Sequence, residues 1–298
     1  MDDIFHSGVS KILVEAYNSK ENKEYMTALN KYKEALFFLE GEEKIDVLFL
    51  IGDLYSEIED YENALLAYKE ILKLDDRNSG AWYGMAYTNE FTGGDLDKTL
   101  EAYEKAIEID DKYTEAYYYA SIIYGDRGDF LKAKEYLEKI ISLNPEDFIA
   151  YNDLGAIYES LGKLDEAKKH LLQSVKINDN YHLSHFNLGV VYKEMGKFED
   201  AIIEYKKSAK LSNERNPYLN MSALYIENDR LDEAEDILTE GIKKLEDHIL
   251  YYNRACVYRK KGKINHAIED FNKAKKIDPV VLEWGIKDPD LMDIIVEE

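Results

Sequence analysis

The chain has 298 residues, 45% hydrophobic and 33% charged, with a formal net charge of −23 at pH 7. That balance argues against nucleic acid as a partner, because phosphate contacts need clustered lysine and arginine. A single cysteine, Cys256, excludes an internal disulfide and a cysteine-based zinc site. The opening MDDIFHSGV lacks a basic stretch followed by an apolar run, so no secretory signal is expected. The longest apolar burst, VLFLI at Val47–Ile51, is far too short to cross a bilayer. No membrane partner is therefore expected, and a reducing, cytoplasmic setting fits. Only 4 prolines against 25 tyrosines favour helices with aromatic cores.

One apolar marker, always three residues before a small residue, recurs along the chain: Tyr25, Tyr61, Leu96, Phe130, Leu164, Phe198, Leu231 and Ile264. The small residues are Ala28, Ala64, Thr99, Ala133, Ala167, Ala201, Ala234 and Ala267. A near-constant period of this size predicts stacked repeats. After an N-terminal extension at 1–8, eight units are expected at about 9–44, 45–78, 79–113, 114–147, 148–181, 182–214, 215–247 and 248–281. The first is loose, with Ala16 in the small slot but Ser19 in the aromatic one. The third has Trp82, has Asn89 where Tyr is usual, and carries one extra residue in the loop Thr92-Gly93-Gly94.

The fifth and sixth show the pattern best. Tyr151, Leu154 and Tyr158 share one face of a first helix, by their three- and four-residue spacing. Gly155, Gly189, Gly52 and Ala255 sit mid-helix, where Gly is about 1 kcal/mol worse than Ala, so close approach of a second helix is expected there. Gly128, Gly162, Gly196 and Gly262 mark the turn. Asp76, Asp111, Asp179 and Asn213 stand where a cap for the following unit would fall. The seventh unit departs with Ser222 and Asp229. Residues 282–298 read as a C-terminal cap and acidic tail: Asp288-Pro289 looks like a helix start, followed by an apolar stripe of Leu291, Met292, Ile294 and Ile295.

This set of Leu-Gly, Tyr, Gly and Ala slots resembles the tetratricopeptide repeat (TPR) family, a 34-residue helix–turn–helix, over almost the whole chain. The resemblance implies an all-α, right-handed α-solenoid of eight repeats. It also implies a non-catalytic protein that binds a protein or peptide partner as an extended segment in a concave groove. Carried onto this chain, the groove face presents Tyr83, Tyr87, Tyr118, Tyr119, Asn152, Asp153, Phe186, Asn187, Asn220, Tyr252 and Asn253, with Lys193, Arg259 and Lys260 as late cations. Asn187, Asn220 and Asn253 recur every 33 residues, and each amide can pair with a passing peptide C=O and N–H. The pattern resembles the asparagine ladder of the TPR region of O-linked N-acetylglucosamine transferase. The alternative is that Asn simply fills this slot. The positions that clamp acidic chaperone C-termini in one TPR sub-family match here only at Asn220.

No catalytic set stands out: there is no Gly-rich phosphate loop, no G-x-S-x-G and no H-E-x-x-H. No enzyme activity, cofactor or metal is therefore expected. His182 and His185 lie three apart, but His185 occupies an aromatic slot, which points to packing rather than ligation. Residues 75–80 fail as a calcium loop because Arg77 takes a ligand position. Residues 241–287 carry 11 Lys/Arg and 6 Asp/Glu, whereas 288–298 carry 5 acids and no base. A polarised ligand path and solvated surface both fit that asymmetry. Two rival functions remain: a self-associating homo-oligomer, and a regulatory subunit of an enzyme encoded elsewhere.

Overall fold

A computed structural model describes residues 2–293 and 295, with side chains from residue 8 onward. Among the described residues the protein is helical throughout and has no strand. It divides into two compact units, Met1–Pro145 and Glu146–Glu298.

The first unit holds α1 (Asp2–Glu21), α2 (Tyr25–Leu36), α3 (Gly41–Glu57), α4 (Tyr61–Leu74), α5 (Ser79–Phe91), α6 (Leu96–Ile109), α7 (Thr114–Asp126) and α8 (Phe130–Leu143). The second holds α9 (Phe148–Ser160), α10 (Leu164–Ile177), α11 (His182–Glu194), α12 (Phe198–Leu211), α13 (Asn216–Glu227), α14 (Leu231–Leu245), α15 (His248–Lys260), α16 (Ile264–Ile277) and the short α17 (Val281–Gly285). Odd and even helices pair as hairpins, and within each unit every hairpin packs on the next. Each apolar marker of the sequence is the first residue of an even helix.

The small residues lie where two helices meet. Ala28, Ala64, Ala133, Ala167, Ala201, Ala234 and Ala267 are fully buried. A Cβ on Gly189 of α11 would stand 2.7 Å from the ring of Tyr205 on α12, so only glycine lets that ring in. The mid-helix glycine is thus explained by close approach. The turn glycine has another cause: Gly162 has φ +69°, a left-handed backbone. The same turn position is held by Lys23, Glu59 and Asp229 with φ of 62°, 61° and 57°. A side chain there costs about 1 kcal/mol.

The third repeat keeps its hairpin by exchanging one contact for another. Asn89 Nδ2 donates to Thr99 Oγ1 at 2.7 Å, so the two residues that depart from the pattern bond to each other. Expected caps at Asp76, Asp111, Asp179 and Asn213 are corrected. The N-caps of α5, α7, α11 and α13 are Asn78, Tyr113, Tyr181 and Arg215, and only Asn78 accepts a backbone N–H with its side chain. In each case the chain needs two more residues to clear the preceding helix end.

His185 is buried, as expected for its slot, but it is a polar partner rather than a packing ring. Its Nδ1 lies 2.6 Å from Glu204 and its Nε2 lies 3.0 Å from the carbonyl of Asp179. Hydrogen bonding to Glu204 holds the imidazole above its ordinary pKa against the opposing pull of burial. Burial pushes Glu204 upward, yet His185 and Lys207 together leave it below its ordinary value. The helix expected from Asp288 is also corrected. Residues 288–292 make a single turn, with the N–H groups of Leu291 and Met292 on the carbonyl of Asp288. Ile294 lies outside the described residues.

Candidate functional site

In the second unit, α9 and α11 bring Asn152, Asp153 and Asn187 together. Asn187 Nδ2 donates to Asn152 Oδ1 at 3.1 Å, and Asn152 Nδ2 donates to Asp153 Oδ1 at 2.8 Å. Asn152 is buried while Asp153 and Asn187 are half-buried. Burial pushes the Asp153 carboxyl up to about 6, Asn152 pulls it down, and Asp147 adds to the push. Among the described residues no Lys, Arg or His comes within ion-pair distance of it. Tyr181, at the start of α11, is raised by burial and then by Asp153. The cluster is therefore an acceptor site with one internal donor and no countercharge.

The other predicted residues of this unit are placed differently. Phe186 packs on Tyr205 with ring centroids 5.7 Å apart. Lys193 is exposed at the end of α11, and Asn220 is half-buried on α13. Asn253 turns its amide onto its own helix, donating to the Ile249 carbonyl at 2.8 Å. Of the spaced asparagines, Asn187 is tied to Asn152, and Asn253 is occupied locally.

Tyr252 and Arg259 on α15 are met by the chain's own C-terminal segment. Tyr252 donates its hydroxyl to Asp288 Oδ2 at 2.6 Å, Lys260 pairs with Asp290 at 2.6 Å, and Arg259 pairs with Asp293. Trp284 stands edge-on to Tyr252 at 5.8 Å, and Leu291 is buried beside Tyr258 and Phe271. Cys256 lies under this cover, and burial pushes its thiol well above the ordinary range. Two cations of the basic end, Arg259 and Lys260, are thus paired with two aspartates of the acidic tail.

In the first unit, Tyr83, Tyr87, Tyr118 and Tyr119 form one aromatic cluster. Tyr83 and Tyr87 stack at 6.1 Å, Tyr119 meets Tyr87 edge-on at 5.8 Å, and Tyr118 meets Tyr119 at 5.4 Å. Beside it lies a recess of about 390 Å³, lined chiefly by Phe49, Asp53, Tyr68, Tyr83, Tyr87 and Tyr113. Phe49, Asp53 and Tyr113 were not picked out from sequence. A signal was there: Gly80 and Gly84, four apart on one helix. A Cβ on Gly84 would stand 2.6 Å from the Tyr68 ring, so its absence lets Tyr68 form the floor. Tyr68 donates to Asp53 Oδ1 at 2.8 Å. Burial pushes Tyr113 up to about 12, aided by Glu115, Asp53 and Asp110. A smaller recess of about 260 Å³ is lined mainly by Val9, Leu13, Leu39, Val47 and Leu50.

Family models described as "Tetratricopeptide repeat" match residues 45–78, 79–113, 114–147, 146–214 and 248–279. These matches span about two thirds of the chain. No curated protein matches the sequence. Among solved structures, MamA is similar at 26% identity with a TM-score of 0.50, covering 54% of this chain and 94% of that one. YrrB, described as a TPR protein with an unusual peptide-binding site, is similar at 21% identity with a TM-score of 0.50, covering 62% and 95%. A tetratricopeptide repeat protein from Parabacteroides merdae is similar at 16% identity with a TM-score of 0.61, covering 88% and 99%.

Proposed function

The chain belongs to the tetratricopeptide repeat family, and we propose that it is a non-catalytic interaction scaffold that holds an extended segment of a partner protein on the faces of its first helices. The observation that carries this reading is Asp153. A half-buried carboxyl pushed up to about 6 is mostly ionised at neutral pH, yet has one amide donor and no countercharge. Such a group is expensive to leave unmatched and strongly favours an incoming donor. A partner's backbone N–H or basic side chain supplies one. Asn187 spends its amide on Asn152, so its own Oδ1 stays open as a second acceptor for the same strand.

The likeness to YrrB supports the fold on which such binding occurs. Of the asparagine ladder, Asn187 joins this cluster, whereas Asn253 donates its amide within its own helix. The cytoplasmic setting stays part of the proposal; no described helix is long and apolar enough to cross a membrane.

The test is a peptide-display selection against the full chain, followed by affinity measurements on Asp153→Asn and Asn187→Ala. Asparagine keeps the shape and the bond from Asn152 but removes the charge. Losing a charge-assisted bond should weaken binding roughly tenfold or more. Selected peptides that bind both variants as tightly as the parent chain would sink this reading.

A further inference from the structure

We propose that the recess among Phe49, Asp53, Tyr83, Tyr87 and Tyr113 receives an organic monocation, the ammonium or guanidinium end of a lysine or arginine side chain presented by the partner. This deepens the scaffold reading and rests on it for the identity of the partner.

Three features of the recess select a cation. Its volume, about 390 Å³, suits one long side chain. Five of its lining residues are aromatic, and the negative face of a phenol or phenyl ring attracts a cation. The third feature is a carboxylate in the lining: Asp53 accepts from Tyr68 on Oδ1, which leaves Oδ2 for an incoming donor. An anion is opposed by Asp53 and by Glu115 and Asp110, whose charges reach Tyr113. Among the described residues none of these three acids has a basic side chain within ion-pair distance. A neutral alkyl group would cover Asp53 without pairing it, which is unfavourable. The surrounding field has the same sign, since residues 1–145 carry 31 acids and 16 bases.

The shape of the recess is built in. Gly84 and Gly80 keep the helix surface bare, so Tyr68 and Phe49 can approach: an added Cβ would stand 2.6 Å and 3.0 Å from those rings. Larger residues at either position would fill the space. Tyrosine rings held by mutual packing lose little freedom on binding, which favours a preformed site.

The experiment titrates the full chain with N-acetyl-lysine methylamide, its N-trimethyl form, N-acetyl-arginine methylamide and the neutral N-acetyl-norleucine methylamide. Ring signals of isotopically labelled tyrosine report the binding. At least one cation should bind about tenfold tighter than norleucine, with Tyr83 and Tyr87 signals shifting, and the three cations rank the preferred head group. Asp53→Asn, at an exposed site and still able to accept from Tyr68, should weaken the cations about fivefold and leave norleucine unchanged. Equal binding of norleucine, an unchanged Asp53→Asn, or unshifted Tyr83 and Tyr87 signals each overturns the proposal. Glu166→Gln, at an exposed acid of the second unit, should have no effect on these probes, and loss of binding there would overturn the assignment to the recess. If display peptides bind but the probes do not, the recess proposal fails and the scaffold stands; the reverse result removes the scaffold and keeps the recess.

Discussion

Replacing Asp153 with asparagine should make the protein more stable at neutral pH and no more stable in acid. In the folded chain burial pushes this carboxyl up to about 6, from an ordinary value of 3.8. A raised carboxyl pKa means the fold prefers the protonated form. Its stabilising contribution is complete below the unfolded value and is lost as pH rises through about 6. The difference of roughly 2 units corresponds to at most about 3 kcal/mol, and relaxation of the half-buried site brings the working figure to ~1–3 kcal/mol. Asparagine carries no charge at any pH, so it avoids that loss. Urea unfolding followed by helical circular dichroism between pH 4 and 8 should show the two proteins together at pH 4. They should separate as pH rises from about 4 through about 6 and hold a constant gap above that, with the variant ahead. A constant offset across that range, or a variant less stable at pH 7.5, refutes the assignment of a raised pKa to Asp153. Gained stability with lost peptide binding is the paired signature of a strained binding group.

Other outcomes follow from the same geometry. His185→Ala should cost ~2–4 kcal/mol near pH 6, because the buried Glu204 loses its closest partner and keeps only Lys207. The imidazole contributes fully below its ordinary value and fades as pH rises through its raised one, while the lowered Glu204 contributes above its ordinary value and fades in acid. A stability gap that stays constant from pH 6 to 9 would contradict the pair. Glu59→Gly should stabilise the α3–α4 hairpin by about 0.5–1 kcal/mol, because φ 61° suits glycine, and Gly162→Ala should cost a similar amount; thermal unfolding reads both. Truncation after Lys287 removes Asp288, Asp290, Asp293 and Leu291 from α15. Hydrogen exchange in α15 and α16 should rise, and Cys256 should become faster to alkylate; unchanged rates would mean that the segment does not cover this face.

What sequence made legible was whatever repeats. The helix starts at Tyr61, Leu96, Phe130 and their equivalents, the buried alanines three residues on, and the left-handed turns all recur with a period that one copy can teach another. The tyrosine cluster was legible for the same reason. The recess beside it was not, because Phe49 and Asp53 come from the second repeat, Tyr113 from the end of the third, and the floor is a ring seen through Gly84. Side-chain direction was also hidden. Asn187 and Asn253 occupy matching slots, yet one reaches a neighbouring helix and the other bonds its own. The tail showed its charge in sequence, but not that three aspartates would land on Tyr252, Lys260 and Arg259.

The bond between Asn89 and Thr99 has an evolutionary consequence. Where its neighbours have a tyrosine and an alanine, the third repeat carries a matched polar pair. Either residue alone is a poor neighbour for the usual partner: an alanine at 99 leaves the Asn89 amide only its longer bond to the Asp95 carbonyl, and a tyrosine at 89 leaves the Thr99 hydroxyl only that same carbonyl. The two positions are therefore epistatic. A double-mutant cycle of Asn89→Tyr with Thr99→Ala should return a coupling of about 1 kcal/mol, each single change being worse than both together. Drift back to the common pattern must pass through a less stable intermediate, so a repeat that has once left it tends to stay away.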